Sequence, residues 1–162
     1  MIKQDYSLQN EGCILVMVGK REKYYLFSNE QKAELVITHE LQQVIDELHS
    51  LGGGEIEFAP GRYVLSTVFL KSNITFHLNK GTELLGSLDF DDYSEDEKLP
   101  FPLYQDASHS YFHCSMFVAE DCDNISFLGQ GSIDMRSIWD TENKRNMSHR
   151  GAKCIALKNC TN

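Results

Sequence analysis

The chain has 162 residues, 41% of them hydrophobic, and 24 acidic side chains against 15 basic ones leave a net charge of -9. That acidity argues against nucleic acid and against an anionic membrane surface as partners, because both are held mainly through Lys and Arg. No run approaches the ~18 to 20 apolar residues of a membrane span. Residues 1–12, MIKQDYSLQNEG, lack a basic start followed by an apolar core, so no secretory signal is expected and the cytoplasm is the expected compartment. Five cysteines without C-x-x-C spacing point to reduced, buried thiols and not to a disulfide framework.

Residues 1–37 form a leader in which apolar and polar residues alternate around Gly19-Lys20-Arg21-Glu22-Lys23. Ile14–Val18 and residues 24–27 are the expected strands of a hairpin. A structural edge or cap is the simplest role for this leader, and a partner-binding flap is the alternative. Residues 38–51 carry Leu41, Val44, Ile45 and Leu48 at the i, i+3, i+4, i+7 spacing of an amphipathic helix. Thr38 is its expected N-cap and Gly52 to Gly54 its stop.

From Gly52 to Tyr93 the sequence reads GGGEIEFAPGRYVLSTVFLKSNITFHLNKGTELLGSLDFDDY. Short apolar strands are broken every six to ten residues by polar turns, with no helical stretch between them, which excludes βαβ units. The economical arrangement is a coil in which each strand pairs with its equivalent in the next turn. The helix 38–51 then plugs the open end of that coil, as terminal caps do in solenoids. An internal repeat agrees. FVAEDCDN (117–124) aligns without gaps on IALKNCTN (155–162), placing Cys122 on Cys160 and Asn124 on Asn162, and N-I-x-F recurs at Asn73 and Asn124. Each unit is a strand, a corner with Asn, and another strand. Asn suits such a corner because it tolerates the left-handed conformation. Residues 38–162 are thus read as the first rungs, interrupted by two long excursions, 94–115 and 136–151. Long loops on solenoids gather on one face and often build the binding cleft.

Several matching strings, LQQVIDELHSLGGGEIEFAPGRY, FLKSNITFHLNKGTELLGS, DFDDY and NISFLGQGSIDM, resemble the opening rungs of glycoside hydrolase family 28, the polygalacturonase-like enzymes. The resemblance runs over about 38–162 and covers only the front of such an enzyme. It implies an all-β fold: a right-handed parallel β-helix, the pectin-lyase-like solenoid, with N-terminal rungs and a capping α-helix. It further implies inverting hydrolysis of uronic-acid or related glycosidic bonds in pectin-type polysaccharide, with an acid and a base far enough apart to admit water. The family's Asn-Thr-Asp, Asp-Asp, Gly-His-Gly and Arg-Ile-Lys motifs lie on later rungs. Asp91-Asp92 stands in the wrong context, so no catalytic residue is assigned and the 162 residues alone are expected to be inactive. The family's IDGxGxxWW pattern is altered here to Gly131-Ser132-Ile133-Asp134, followed by Met135 and the single Trp139.

Candidate groups are few. The carboxylates Asp89, Asp91, Asp92, Glu95, Asp96 and Glu97 lack the alternating ligands and central Gly of a calcium loop, and read as a solvated turn. His109 and His113, beside Cys114, would need a helix and a third ligand to hold a metal, so none is assigned, nor any cofactor. Cys122 and Cys160 read as stacked thiols. His149-Arg150 and Lys144-Arg145 are the basic clusters near a long loop, and His149 and Arg150 are the substrate-binding candidates for a sugar carboxylate. The expected partner is a pectic poly- or oligosaccharide, with self-association through the open C-terminal rung. Two alternatives share the architecture: a pectate-lyase-like eliminating enzyme, and a non-catalytic carbohydrate-binding β-helix of tailspike or adhesin type.

Overall fold

The computed structural model describes residues 14–18, 23–28, 34–95, 113–138 and 151–162. In chain order these form β1 (Ile14–Val18), β2 (Lys23–Phe27), β3 (Glu34–Val36), α1 (Thr38–Ser50), β4 (Gly54–Phe58), β5 (Gly61–Leu65), β6 (Val68–Phe69), β7 (Ile74–Leu78), β8 (Thr82–Gly86), a 3-10 turn (Phe90–Asp92), β9 (Ser115–Glu120), β10 (Ile125–Gly129), β11 (Ser132–Asp134) and β12 (Lys153–Lys158). β1 and β2 pair antiparallel, with Ile14 opposite Phe27. Every other strand pairing among the described residues is parallel.

The strands lie in three sheets, ordered β1-β2-β4-β7-β10, β11-β8-β5-β3 and β12-β9-β6. From β4 onward the chain visits the first, second and third sheet in turn and repeats that circuit, adding one strand to each sheet every time. The protein is therefore mostly β and built of parallel sheets. Strands of two to six residues are long enough only to cross from one corner to the next. Each must then find its ladder partners on the neighbouring circuit.

The helix takes the place of a strand. β2 and β3 pair with β4 and β5, and α1 follows where the third sheet's strand would fall, packing against β4, β6 and β7. Its buried residues are Leu41, Val44, Ile45 and Leu48, the four that the helical spacing selects. Burying each is worth about 1.5–3 kcal/mol. The Gln42 carboxamide accepts from the Phe69 backbone N–H at 2.8 Å and donates to its carbonyl at 3.0 Å, supplying the pair of bonds a neighbouring strand would give β6. One expectation is corrected here. Ile37, not Thr38, holds the N-cap position and makes no side-chain cap; the Thr38 hydroxyl accepts instead from the Ser66 N–H at 2.9 Å, fastening the helix to the corner after β5. At the other end Gly53 N–H reaches the Leu48 carbonyl and Gly52 N–H that of His49, a Schellman ending with both glycines at positive φ. A Cβ on Gly53 would stand 2.4 Å from the Asn73 carbonyl oxygen, so the next circuit closes directly over this turn.

The coil's interior is aromatic. Phe27 stacks on Phe58 at 5.2 Å and Phe76 on Phe127 at 4.7 Å, while Phe117 meets Phe127 edge-on at 5.2 Å. Glu55, Glu57, Thr75 and His77 alternate with buried Ile56, Phe58, Ile74, Phe76 and Leu78, so one face of the first sheet fills the core and the other meets solvent. The repeat register holds residue by residue: Phe117 pairs with Ile155, Glu120 with Lys158, Asp123 with Thr161, Ile74 with Ile125 and Phe76 with Phe127. The corner residues Asn73 and Asn124 have φ of 65° and 55°, and the Asn124 amide donates to Asn73 Oδ1 at 3.1 Å. Cys122 and Cys160 occupy equivalent corner positions as free thiols, donating to the Leu70 and Ala119 carbonyls. At the far end Ile155 and Leu157 are 38% and 58% exposed, although Ile155 pairs with Phe117, whose ring lies in the core. Among the described residues β12 is an edge strand of its sheet.

Candidate functional site

Three connections join the second sheet to the third, and they differ greatly in length. β5 reaches β6 through Ser66 and Thr67 alone, whereas β8 to β9 takes residues 87–114 and β11 to β12 residues 135–152. Both long excursions therefore leave the coil at the same corner on successive circuits and return onto the third sheet. This corner, with the outer face of that sheet, is the candidate site.

The corner's base is tightly held. Arg136 donates from Nε to the Gly86 carbonyl at 2.7 Å, and its Nη2 meets the same oxygen. Its Nη1 contacts Glu34 Oε2 at 2.9 Å, and Glu34 in turn meets Arg62 at 2.9 Å. Arg136 and Ser137 both have φ of 53°, a conformation that costs non-glycine residues energy and that the Arg136 side chain bonds hold in place. A Cβ on Gly86 would stand 2.7 Å from the Tyr93 hydroxyl and 3.2 Å from Met135, so both roots pack on this glycine. Burial pushes the Tyr93 hydroxyl's pKa up, aided by neighbouring thiols, and it stays a donor to the Ser87 carbonyl at 3.0 Å. The DFDDY stretch is structural in the same way: Asp89 accepts from the Asp91 N–H to cap the 3-10 turn, and the Ser87 hydroxyl bonds Asp92. Ser94 Oγ donates to the His113 carbonyl at 2.6 Å, drawing the two ends of the first excursion together.

The third sheet's outer row is Phe69, Val118 and Ala156, opposite in parity to the core row Val68, Phe117 and Ile155. Phe69 is 41% exposed while Val118 and Ala156 are buried. The His113 ring meets Phe69 edge-on at 5.8 Å and its Nε2 lies 3.1 Å from Glu120 Oε2. The other Glu120 oxygen receives Lys158 Nζ at 3.1 Å. Burial disfavours the Glu120 carboxylate, but the bonds from Lys158 and His113 outweigh it and hold its pKa below the usual range.

His149 and Arg150, the substrate-binding candidates, lie outside the described residues, as do Lys144, Arg145, His109, Asp96 and Glu97. His113 is brought to a carboxylate and an aromatic ring. Among the described residues no group of three or more His, Cys, Asp or Glu is placed to hold a metal ion. Phe69, Glu120 and Lys158 went unselected in the sequence, yet the gapless repeat already set Lys158 on Glu120, opposite charges at equivalent positions of adjacent circuits.

No family model matches the chain, and no curated protein matches it in sequence. Among solved structures, a protein from Parabacteroides merdae, provisionally described as a glycosyl hydrolase, shares the fold with a TM-score of 0.63 at 19% identity. The match covers 83% of this chain and 61% of that one, so the chain spans less than two thirds of that protein's length. The fold defined above, mostly β in parallel sheets, is thus one found in a glycosyl hydrolase-like protein.

Proposed function

We propose that this chain is the N-terminal part of a glycoside hydrolase of the right-handed parallel β-helix type, polygalacturonase-like, acting on pectin-type poly- or oligosaccharide in the cytoplasm. The observation that carries the reading is the shared corner. A glycan needs a groove, and two long segments are rooted one circuit apart beside one sheet face, the position at which long loops on solenoids often build a cleft. The right-handed sense follows from the strong general preference for right-handed connections between parallel strands. The likeness of fold to a glycosyl hydrolase-like structure supports the enzyme class. His149 and Arg150, on the second excursion, are proposed to receive sugar carboxylates, since an Arg fork matches a planar acid.

Inverting hydrolysis needs a carboxylic acid and a carboxylate base on opposite sides of the bond, ~6.5–9.5 Å apart. The sequence holds no Asn-Thr-Asp, Gly-His-Gly or Arg-Ile-Lys motif, so the 162 residues are proposed to be catalytically silent alone. Incubating the pure chain with polygalacturonate and with saturated galacturonides, and following reducing ends and ultraviolet absorbance, tests this. No product is expected. Reducing ends without absorbance would overturn the silent-fragment reading, and absorbance at the unsaturated uronide band would transfer the protein to the eliminating class. A polypeptide continuing these circuits should release reducing ends with inversion, and its failure on every pectic substrate would refute the proposed activity.

A further inference from the structure

We infer that Phe69, His113, Glu120 and Lys158 form a binding subsite for an uncharged pyranose ring of a glycan. The inference rests on the carbohydrate reading above and adds a location and a sugar class to it. Three observations combine. Phe69 keeps 41% of its surface exposed on the outer row of the third sheet, and its backbone is clamped by Gln42, so the ring stands on a fixed base. Next to it lie three polar groups in one connected array: imidazole against carboxylate at 3.1 Å and ammonium against the same carboxylate at 3.1 Å. His113 stands at the corner from which both long excursions spring, while Glu120 and Lys158 end β9 and β12 on the same sheet.

This is the composition a sugar requires. A pyranose has an apolar face of C–H bonds, which covers an aromatic ring, and a rim of hydroxyls that both donate and accept. Glu120 offers acceptors, Lys158 donors and His113 either, all held in place by one another before any ligand arrives, which lowers the ordering cost of binding. Charge selects the class. Among the described residues Lys158 is paired with Glu120, and the following corner carries Asp121 and Asp123, a local charge that favours an uncharged ring over a uronate. An uncharged ring keeps the ion pair and adds hydrogen bonds, whereas a sugar carboxylate would compete with Glu120 for Lys158 and face it as a like charge.

The test titrates the isotopically labelled 162-residue chain with β-1,4-galactotetraose and with tetragalacturonate, reading amide shifts and the His113 ring. Saturable shifts around Phe69, His113, Glu120 and Lys158 with the neutral tetrasaccharide are expected, and affinity should drop about tenfold or more in Phe69→Ala while Phe69→Tyr keeps it. Glu120→Gln should weaken binding of the neutral sugar and narrow its margin over the uronide. Absence of shifts with galactotetraose, equal affinity in Phe69→Ala, or tighter binding of tetragalacturonate would each overturn the inference. Because binding is read on a chain expected to be inactive, this outcome is separate from hydrolysis: a longer polypeptide that cleaves pectin while this site stays silent would leave the enzyme reading standing and remove the subsite.

Discussion

Replacing Asn73 by alanine should cost more stability than replacing it by glycine, the reverse of the order at an ordinary strand position. Asn73 sits at φ 65°, with its backbone N–H bonded to the Asp123 carbonyl and its carbonyl to Gly54 N–H, so the corner cannot relax without breaking contacts to two neighbouring circuits. Alanine in the left-handed region costs about 1–2 kcal/mol. Glycine avoids that cost and loses about 0.5–1 kcal/mol through the freedom of the unfolded chain. Both variants forfeit the bond from the Asn124 amide to Asn73 Oδ1, worth ~0.5 kcal/mol at an exposed site, and this cancels in the comparison. The expected gap is about 0.5–1 kcal/mol in favour of glycine, or roughly 1–4 °C in melting temperature for a chain this size. Urea titration followed by circular dichroism measures it, with His77 on β7 as control, where His77→Gly should be worse than His77→Ala. If Asn73→Gly is as destabilised as Asn73→Ala, the corner does not depend on the left-handed residue and the argument fails.

Arg136→Met should destabilise the chain by about 1–3 kcal/mol and detach the root of the second excursion, because the Gly86 carbonyl and Glu34 lose a shared partner; Glu34→Gln should cost less, and equal thermal melts of wild type and Arg136→Met would refute the clamp. The depressed pKa of Glu120 contributes stability that is present above the unfolded carboxylate value near ~4.3 and is lost as pH falls through the lower folded value; Glu120→Gln should flatten the stability curve between those two values, and an unchanged acid limb would count against the array. The exposed Ile155 and Leu157 predict concentration-dependent association in sedimentation at micromolar chain, diminished by Leu157→Lys; a stable monomer of the wild-type chain would show that the end is closed. Burial foremost, then the neighbouring Cys160, raises the Cys122 thiol's pKa, so its folded form favours the protonated state; that contribution is present below about pH 8.5 and fades as pH rises, and Cys122→Ser should shift the alkaline limb of the stability curve.

Much of the architecture could be read directly from residue patterns, for a physical reason. In a coil of short strands each circuit repeats the demands of the previous one, so pairing partners recur in the sequence at equivalent positions; Asn73 and Asn124, Phe76 and Phe127, and Glu120 and Lys158 are visible as a register before any coordinates. The helix face was equally legible because Leu41, Val44, Ile45 and Leu48 answer to a local period. What depended on the tertiary structure is whatever joins elements without a shared period. Thr38 looks like a cap by local rule, yet Ser66 claims its hydroxyl across 28 residues. Gln42 completes the edge of β6 and Arg136 reaches Glu34, 102 residues away, through side chains whose length and polarity say nothing of their partners. That two excursions so far apart in sequence rise from one corner follows only from closing the circuit, and it is this closure that sets His113 against Phe69 and Glu120.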